Sequence, residues 1–122
     1  GLQAESKVFI SDNIIIGIVK SVNSNSALVE LFSSSGVEHE VVSERTGTTF
    51  KLVGLGGGNF KIEVPKDVDI LWGDSFVYPN LASAVLGNVY YIDSNAQSSF
   101  KTVYIRTPVN VFASKYVFIE IQ

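Results

Sequence analysis

The chain has 122 residues, of which 46% are hydrophobic and 17% charged, with a net charge of −3. That length builds one domain with a core of its own, without disulfides or metal. The nine Lys and Arg residues are scattered, which excludes a basic track for nucleic acid and a polybasic membrane patch, and the lack of cysteine excludes disulfides, iron–sulfur clusters, thiolate zinc and cysteine nucleophiles together.

Period-2 runs rich in β-branched residues dominate, and turn clusters interrupt them at short intervals. Lys7 to Ile10 is the first predicted strand, and the Ser11-Asp12-Asn13 turn follows it. Ile14 to Val22 is a long one, its longest apolar run (Ile14 to Val19) far below membrane-helix length. Ala27 to Phe32 and Val37 to Val42 come next, separated by a turn over Ser33 to Gly36. Arg45-Thr46-Gly47 turns the chain into Thr49 to Val53. Phe60 to Val64 alternates most cleanly: Phe60, Ile62 and Val64 share one face and Lys61 and Glu63 the other. Pro65 ends it, because proline cannot donate to the ladder.

Ser75 to Tyr78, Val85 to Ile92, Phe100 to Thr107 and Val117 to Ile121 complete the set. Helix is confined to single turns at most, at Leu81 to Leu86 and Val109 to Lys115, since no longer stretch carries a 3.6 period with caps. About ten short strands joined by tight turns predict an all-β, antiparallel sandwich or barrel. The chain reads as a single β-barrel region over 1–122, with 1–16 as a candidate edge of a neighbouring barrel. It contains no methionine, position 1 included, which points to a processed product or a piece of a longer protein.

Gly54-Leu55-Gly56-Gly57-Gly58-Asn59 invites a phosphate-loop reading. Such a loop opens a helix, or ends in Lys-Ser or Lys-Thr. Here a strand follows, so a hairpin loop is expected. His39, the single histidine, sits between Glu38 and Glu40, which on a strand point away from it, so neither a zinc site nor a serine–histidine pair is expected. Asp67, Asp69 and Asp74 make only a fragment of a calcium loop and read as turn caps. Catalytic, cofactor and metal residues are therefore assigned to none. Trp72, Phe76, Tyr78, Tyr90 and Tyr91 are mostly core or rim, and Trp72, Tyr78 and Phe118 are the candidate interaction residues.

The order of these features from Gly17 onward resembles the extracytoplasmic β-barrel region of the MreC family. The resemblance is carried by Gly17-Ile18-Val19 with Ser21, by Ala27-Leu28-Val29-Glu30-Leu31, by Arg45-Thr46-Gly47, and by Val64-Pro65 leading to Gly73-Asp74-Ser75-Phe76-Val77. Pro79, Leu86-Gly87-Asn88-Val89 and Ile105-Arg106-Thr107-Pro108 continue it. Tyr78-Pro79-Asn80 departs from the threonine-serine-glycine usual after the Gly-Asp strand. The resemblance implies small antiparallel barrels of the trypsin-like type without catalytic residues, and a membrane helix and coiled coil outside this piece. It also implies a periplasmic, self-associating scaffold for wall elongation that works with MreB, MreD, RodA and penicillin-binding proteins. A periplasmic efflux or secretion adaptor and a serine hydrolase are the alternatives. The last strand either closes the barrel or leaves an edge, with Phe118 outward, for association.

Overall fold

The computed structural model describes residues 5–10, 13–109 and 116–120, the last stretch by its backbone alone. It is all-β, with no helix among the described residues. Among the described residues ten strands form: β1 (Lys7–Ile10), β2 (Ile14–Val22), β3 (Ser26–Leu31), β4 (Glu38–Ser43), β5 (Thr49–Gly56), β6 (Asn59–Pro65), β7 (Ser75–Tyr78), β8 (Leu81–Ser94), β9 (Phe100–Arg106) and β10 (Tyr116–Glu120). Leu81 to Leu86, expected to allow a helical turn, is instead the start of β8, where Tyr78 pairs with Leu81 and Val77 with Val85. Ladder bonds to β7 outweigh the local preference of a Leu-Ala-Ser-Ala run. The other candidate turn, Val109 to Lys115, falls almost wholly outside the described residues.

Six strands close on themselves in the order β4-β5-β6-β9-β8-β7 and back to β4, every pair antiparallel. The alternation predicted for β6 explains how the barrel fills. Phe60, Ile62 and Val64 point inward and meet Leu52, Phe76, Leu86, Val103 and Ile105. Ile70, in the loop after β6, joins the same core. Each such side chain contributes about 1.5–3 kcal/mol by leaving water, so this filling holds the barrel shut.

The remaining strands form an antiparallel sheet in the order β1-β2-β3-β10. Its own core is Val19, Ala27, Val29 and Leu31, with Val8 and Ile16 against it. One parallel bridge, Ile14 to Val85, joins it to the barrel. Ile15 from β2 and Phe32 just after β3 nevertheless belong to the barrel core. β10 pairs with β3 and takes no part in closing the barrel.

The glycine loop is the expected hairpin: Gly56, Gly57 and Gly58 all have positive φ between β5 and β6. Gly54 has a different reason to be glycine. A Cβ there would lie 2.1 Å from the Ser34 carbonyl oxygen, because the Ser33–Gly36 turn bonds along β5. Gly36 N donates to Gly54 O (2.9 Å), Gly54 N to Val37 O (2.8 Å) and Gly58 N to Ser33 Oγ (2.9 Å).

Candidate interaction surface

A β-strand sends neighbouring side chains to opposite faces, so Tyr90 and Tyr91 would normally part company. They do not, because β8 shifts register against β9 between Val89 and Tyr91. The extra residue of this bulge leaves both tyrosines on the outside, with Tyr91 47% exposed. Across the ladder Tyr91 faces Tyr104, which in turn faces Lys61 of β6. The rings run as a continuous row: Trp72 to Tyr91 at 5.7 Å and Tyr91 to Tyr104 at 6.0 Å, then Tyr104 to Tyr90 at 6.4 Å. At its end the Arg106 guanidinium lies 4.1 Å from the centre of the Tyr90 ring, a cation–π contact.

Trp72 reaches this row from a loop, and the loop is held from beneath. Arg45, in the turn after β4, places Nε and Nη2 each 3.0 Å from the two carboxylate oxygens of Asp74. Its Nη1 and Nη2 also reach the Asp69 carboxylate, at 3.0 and 2.8 Å. One guanidinium thus grips two carboxylates in its planar fork. Asp74, only 9% exposed, also accepts the Leu71 N–H at 2.9 Å while its own N–H donates to Leu71 O at 3.1 Å. Gly73 takes a positive φ and its N–H donates to Val89 O. Leu71 and Trp72 are left at the tip, Trp72 62% exposed.

Those bonds set the charges. The Arg45 guanidinium holds both the Asp69 and the Asp74 carboxyls below their ordinary range, and the two carboxylates raise the Arg45 pKa in return. The acids read from the sequence as turn caps therefore form, in two of three cases, an ion cluster with a residue far away in the chain, while Asp67 stays exposed. A carboxylate as buried as that of Asp74 needs a cation, and Arg45 supplies it from 29 residues away in the chain.

Of the three candidate interaction residues, Trp72 stands in the aromatic row. Tyr78 does not: it is half-buried, its ring 5.7 Å from Phe32 with Lys7 Nζ 5.3 Å from its centre. The side chain of Phe118 lies outside the described residues, and the backbone pairs it with Leu28. Tyr90, Tyr91 and Tyr104 join Trp72 instead, and the bulge that exposes the first two has no signature in the alternation.

His39 is half-buried on β4, with Glu38 and Glu40 on the opposite, exposed face. Its ring meets Phe32 edge-on at 4.7 Å, and its buried Nε2 has no hydrogen-bond partner among the described residues. Burial lowers its pKa below 6.5. The described residues hold no group of three or more side chains able to bind a metal ion.

A closed six-stranded antiparallel barrel with an attached antiparallel sheet defines an all-β module of the small-barrel class. The chain belongs to the MreC family: the family described as "Rod shape-determining protein MreC, barrel core" matches residues 1–120. The fold is that of the crystal structure of MreC from Pseudomonas aeruginosa, with a TM-score of 0.74 at 20% identity over 98% of this chain and 81% of that one. It is equally close to a second solved MreC chain, with a TM-score of 0.75 at 21% identity over 98% of this chain and 71% of that one. No curated protein sequence matches the chain. By its description the family is a shape-determining one.

Proposed function

We propose that this chain is the extracytoplasmic part of a non-enzymatic scaffold that organises the wall-elongation machinery and maintains cell shape. It acts through protein–protein contact and self-association, at the outer face of the bacterial cell membrane. Its partners are the other subunits of that machinery, MreB, MreD, RodA and penicillin-binding proteins, reached directly or through a membrane segment outside this piece. The observation that supports this reading is the row of rings from Trp72 through Tyr91 and half-buried Tyr104 to Tyr90, ending on Arg106, with Trp72, Tyr91 and Tyr90 exposed. Trp, Tyr and Arg are the residue types that carry binding energy in protein interfaces, and the loop carrying Trp72 is fixed by the Arg45 cluster. No cofactor enters this reading.

The test is a Trp72→Ala/Tyr91→Ala double variant of the intact parent protein, in a cell that depends on it for rod shape. Both side chains are exposed, so fold stability should change by less than about 0.5 kcal/mol each. Cells are expected to round up at normal protein abundance. Rods of normal width would overturn the assignment of this face.

A further inference from the structure

Beside the aromatic row lies an open groove of about 440 Å³, lined by Gly57, Asn88, Tyr90, Arg106, Thr107 and their neighbours. No acidic residue lines it. Arg106 is its one charged side chain, and its ion chemistry is unused: it belongs to no ion pair among the described residues. Among the described residues only its Nε donates a hydrogen bond, to Asn59 Oδ1 at 3.3 Å. A guanidinium has five N–H donors, so the four on its two terminal nitrogens remain for a ligand.

The geometry favours a planar anion there. Stacking on Tyr90 and the bond to Asn59 hold the guanidinium in one orientation, so little side-chain freedom remains to be lost on binding. The natural match for two parallel N–H donors is a carboxylate. In a chain of net charge −3, a cation with no carboxylate at ion-pair distance among the described residues marks a place where negative charge is welcome rather than repelled.

The rings decide what carries that carboxylate. Trp72 stands at 87° to Tyr91, Tyr91 at 35° to Tyr104 and Tyr104 at 52° to Tyr90. They share no plane, so they offer notches for side chains rather than a flat stacking platform, and exposed Leu71 extends the apolar part beside Trp72. A single-stranded nucleic acid would also require a basic track along the row, and one arginine is not a track.

We propose that the groove and the aromatic row together bind a segment of a partner protein that places an aspartate or glutamate carboxylate on Arg106 and apolar side chains between Tyr90 and Trp72. This rests on the scaffold reading and adds the chemistry of the partner: acidic next to apolar.

The 122-residue chain, isotopically labelled, is titrated by NMR with a capped hexapeptide in which an aspartate is flanked by phenylalanine and leucine. An asparagine twin serves as the control. The aspartate peptide is expected to move the Trp72 indole and Arg106 Nε–H resonances and to bind about tenfold more tightly than the twin. Arg106→Gln is expected to abolish that difference, and Arg106→Lys to retain part of it. Added salt is expected to weaken the aspartate peptide alone.

Equal binding of the two peptides to the wild type would overturn the acidic preference. It needs no variant, so a misfolded Arg106→Gln would not blur it. Shifts confined to other surfaces, or none at millimolar peptide, would overturn the site. So would chitin oligosaccharides moving the row where the peptides do not, or shifts of the row that grow with protein concentration alone and reveal a second copy as occupant. The cell-shape test of Trp72 and Tyr91 stands apart from all of these, so the scaffold reading can hold while the acidic partner fails.

Discussion

Replacing Asp74 by asparagine should cut the support from under Trp72 without touching the rings. Asp74 accepts three hydrogen bonds, from Arg45 Nε, Arg45 Nη2 and Leu71 N–H. An asparagine keeps one acceptor oxygen and turns an amide N–H₂ toward a guanidinium donor. With that oxygen at the Oδ2 position the bonds from Arg45 Nη2 and Leu71 N–H are kept, but the one from Arg45 Nε is lost and the remaining Arg45 bond loses its charged acceptor. The site is only 9% exposed, and a hydrogen bond to a charged group contributes about 1.5–3 kcal/mol. Arg45 is partly open to solvent, which takes the expectation to the lower end, about 2–3 kcal/mol in all. For 122 residues the unfolding entropy is about 0.26 kcal/mol/K, so Tm should fall by roughly 8–12 °C.

The sign of the pH dependence follows from the depressed folded-state pKa of Asp74. Its stabilisation is complete above the ordinary value of 3.8 and is lost as pH falls through the folded value. Asp69 remains in both proteins, so its own titration largely cancels in the difference. Urea unfolding of wild type and Asp74→Asn at pH 7 and pH 3 should show a gap that is full at pH 7 and clearly narrower at pH 3. A gap below about 0.5 kcal/mol at neutral pH, or one that is the same at both, would refute the reasoning.

Gly54→Ala should cost roughly 3 kcal/mol or more, since its Cβ meets backbone at 2.1 Å and the turn over β5 must move. Gly36→Ala, at φ +81° with open space around it, should cost only about 1–2 kcal/mol; calorimetry of the pair separates crowding from backbone strain. His39→Phe should stabilise by about 1 kcal/mol at pH 7, as it removes a buried nitrogen without a partner beside Phe32. With its pKa lowered from 6.5, His39 leaves stability intact above pH 6.5 and erodes it as pH falls below that value toward the folded pKa. Denaturation midpoints between pH 7.5 and 5 should therefore decline in the wild type and flatten in the variant.

Much of the architecture was legible because a half-buried strand writes itself as alternation. β1, β2 and β7 begin and end where the residue pattern places them, and β6 turns inward the three residues it predicts. Leu81 to Leu86 was illegible because its Leu and Ala residues lean locally toward helix, and only pairing with β7 overrides that. The aromatic row was half-visible. Trp72, Tyr90 and Tyr91 stand out by type, but the bulge that turns both tyrosines outward is a property of the pairing with β9. The Arg45 cluster spans 29 residues of sequence to Asp74, a separation across which no local pattern speaks. Tyr78 stands out by type as Trp72 does, but its packing against the Phe32 ring comes from a residue 46 positions earlier in the chain and leaves no local mark.

The sheet and the barrel share more than the single bridge at Ile14 suggests. Ile15 and Phe32 leave the sheet to fill the barrel, while Val19, Val29 and Leu31, a few positions along the same strands, fill the sheet's own core. Opening either half exposes side chains of the other, so neither half has an independent melting equilibrium. Force or strain applied to β2 or β3 is thereby carried into the wall that bears the aromatic row. On the scaffold reading proposed above, that makes the module a stiff spacer rather than two beads on a hinge.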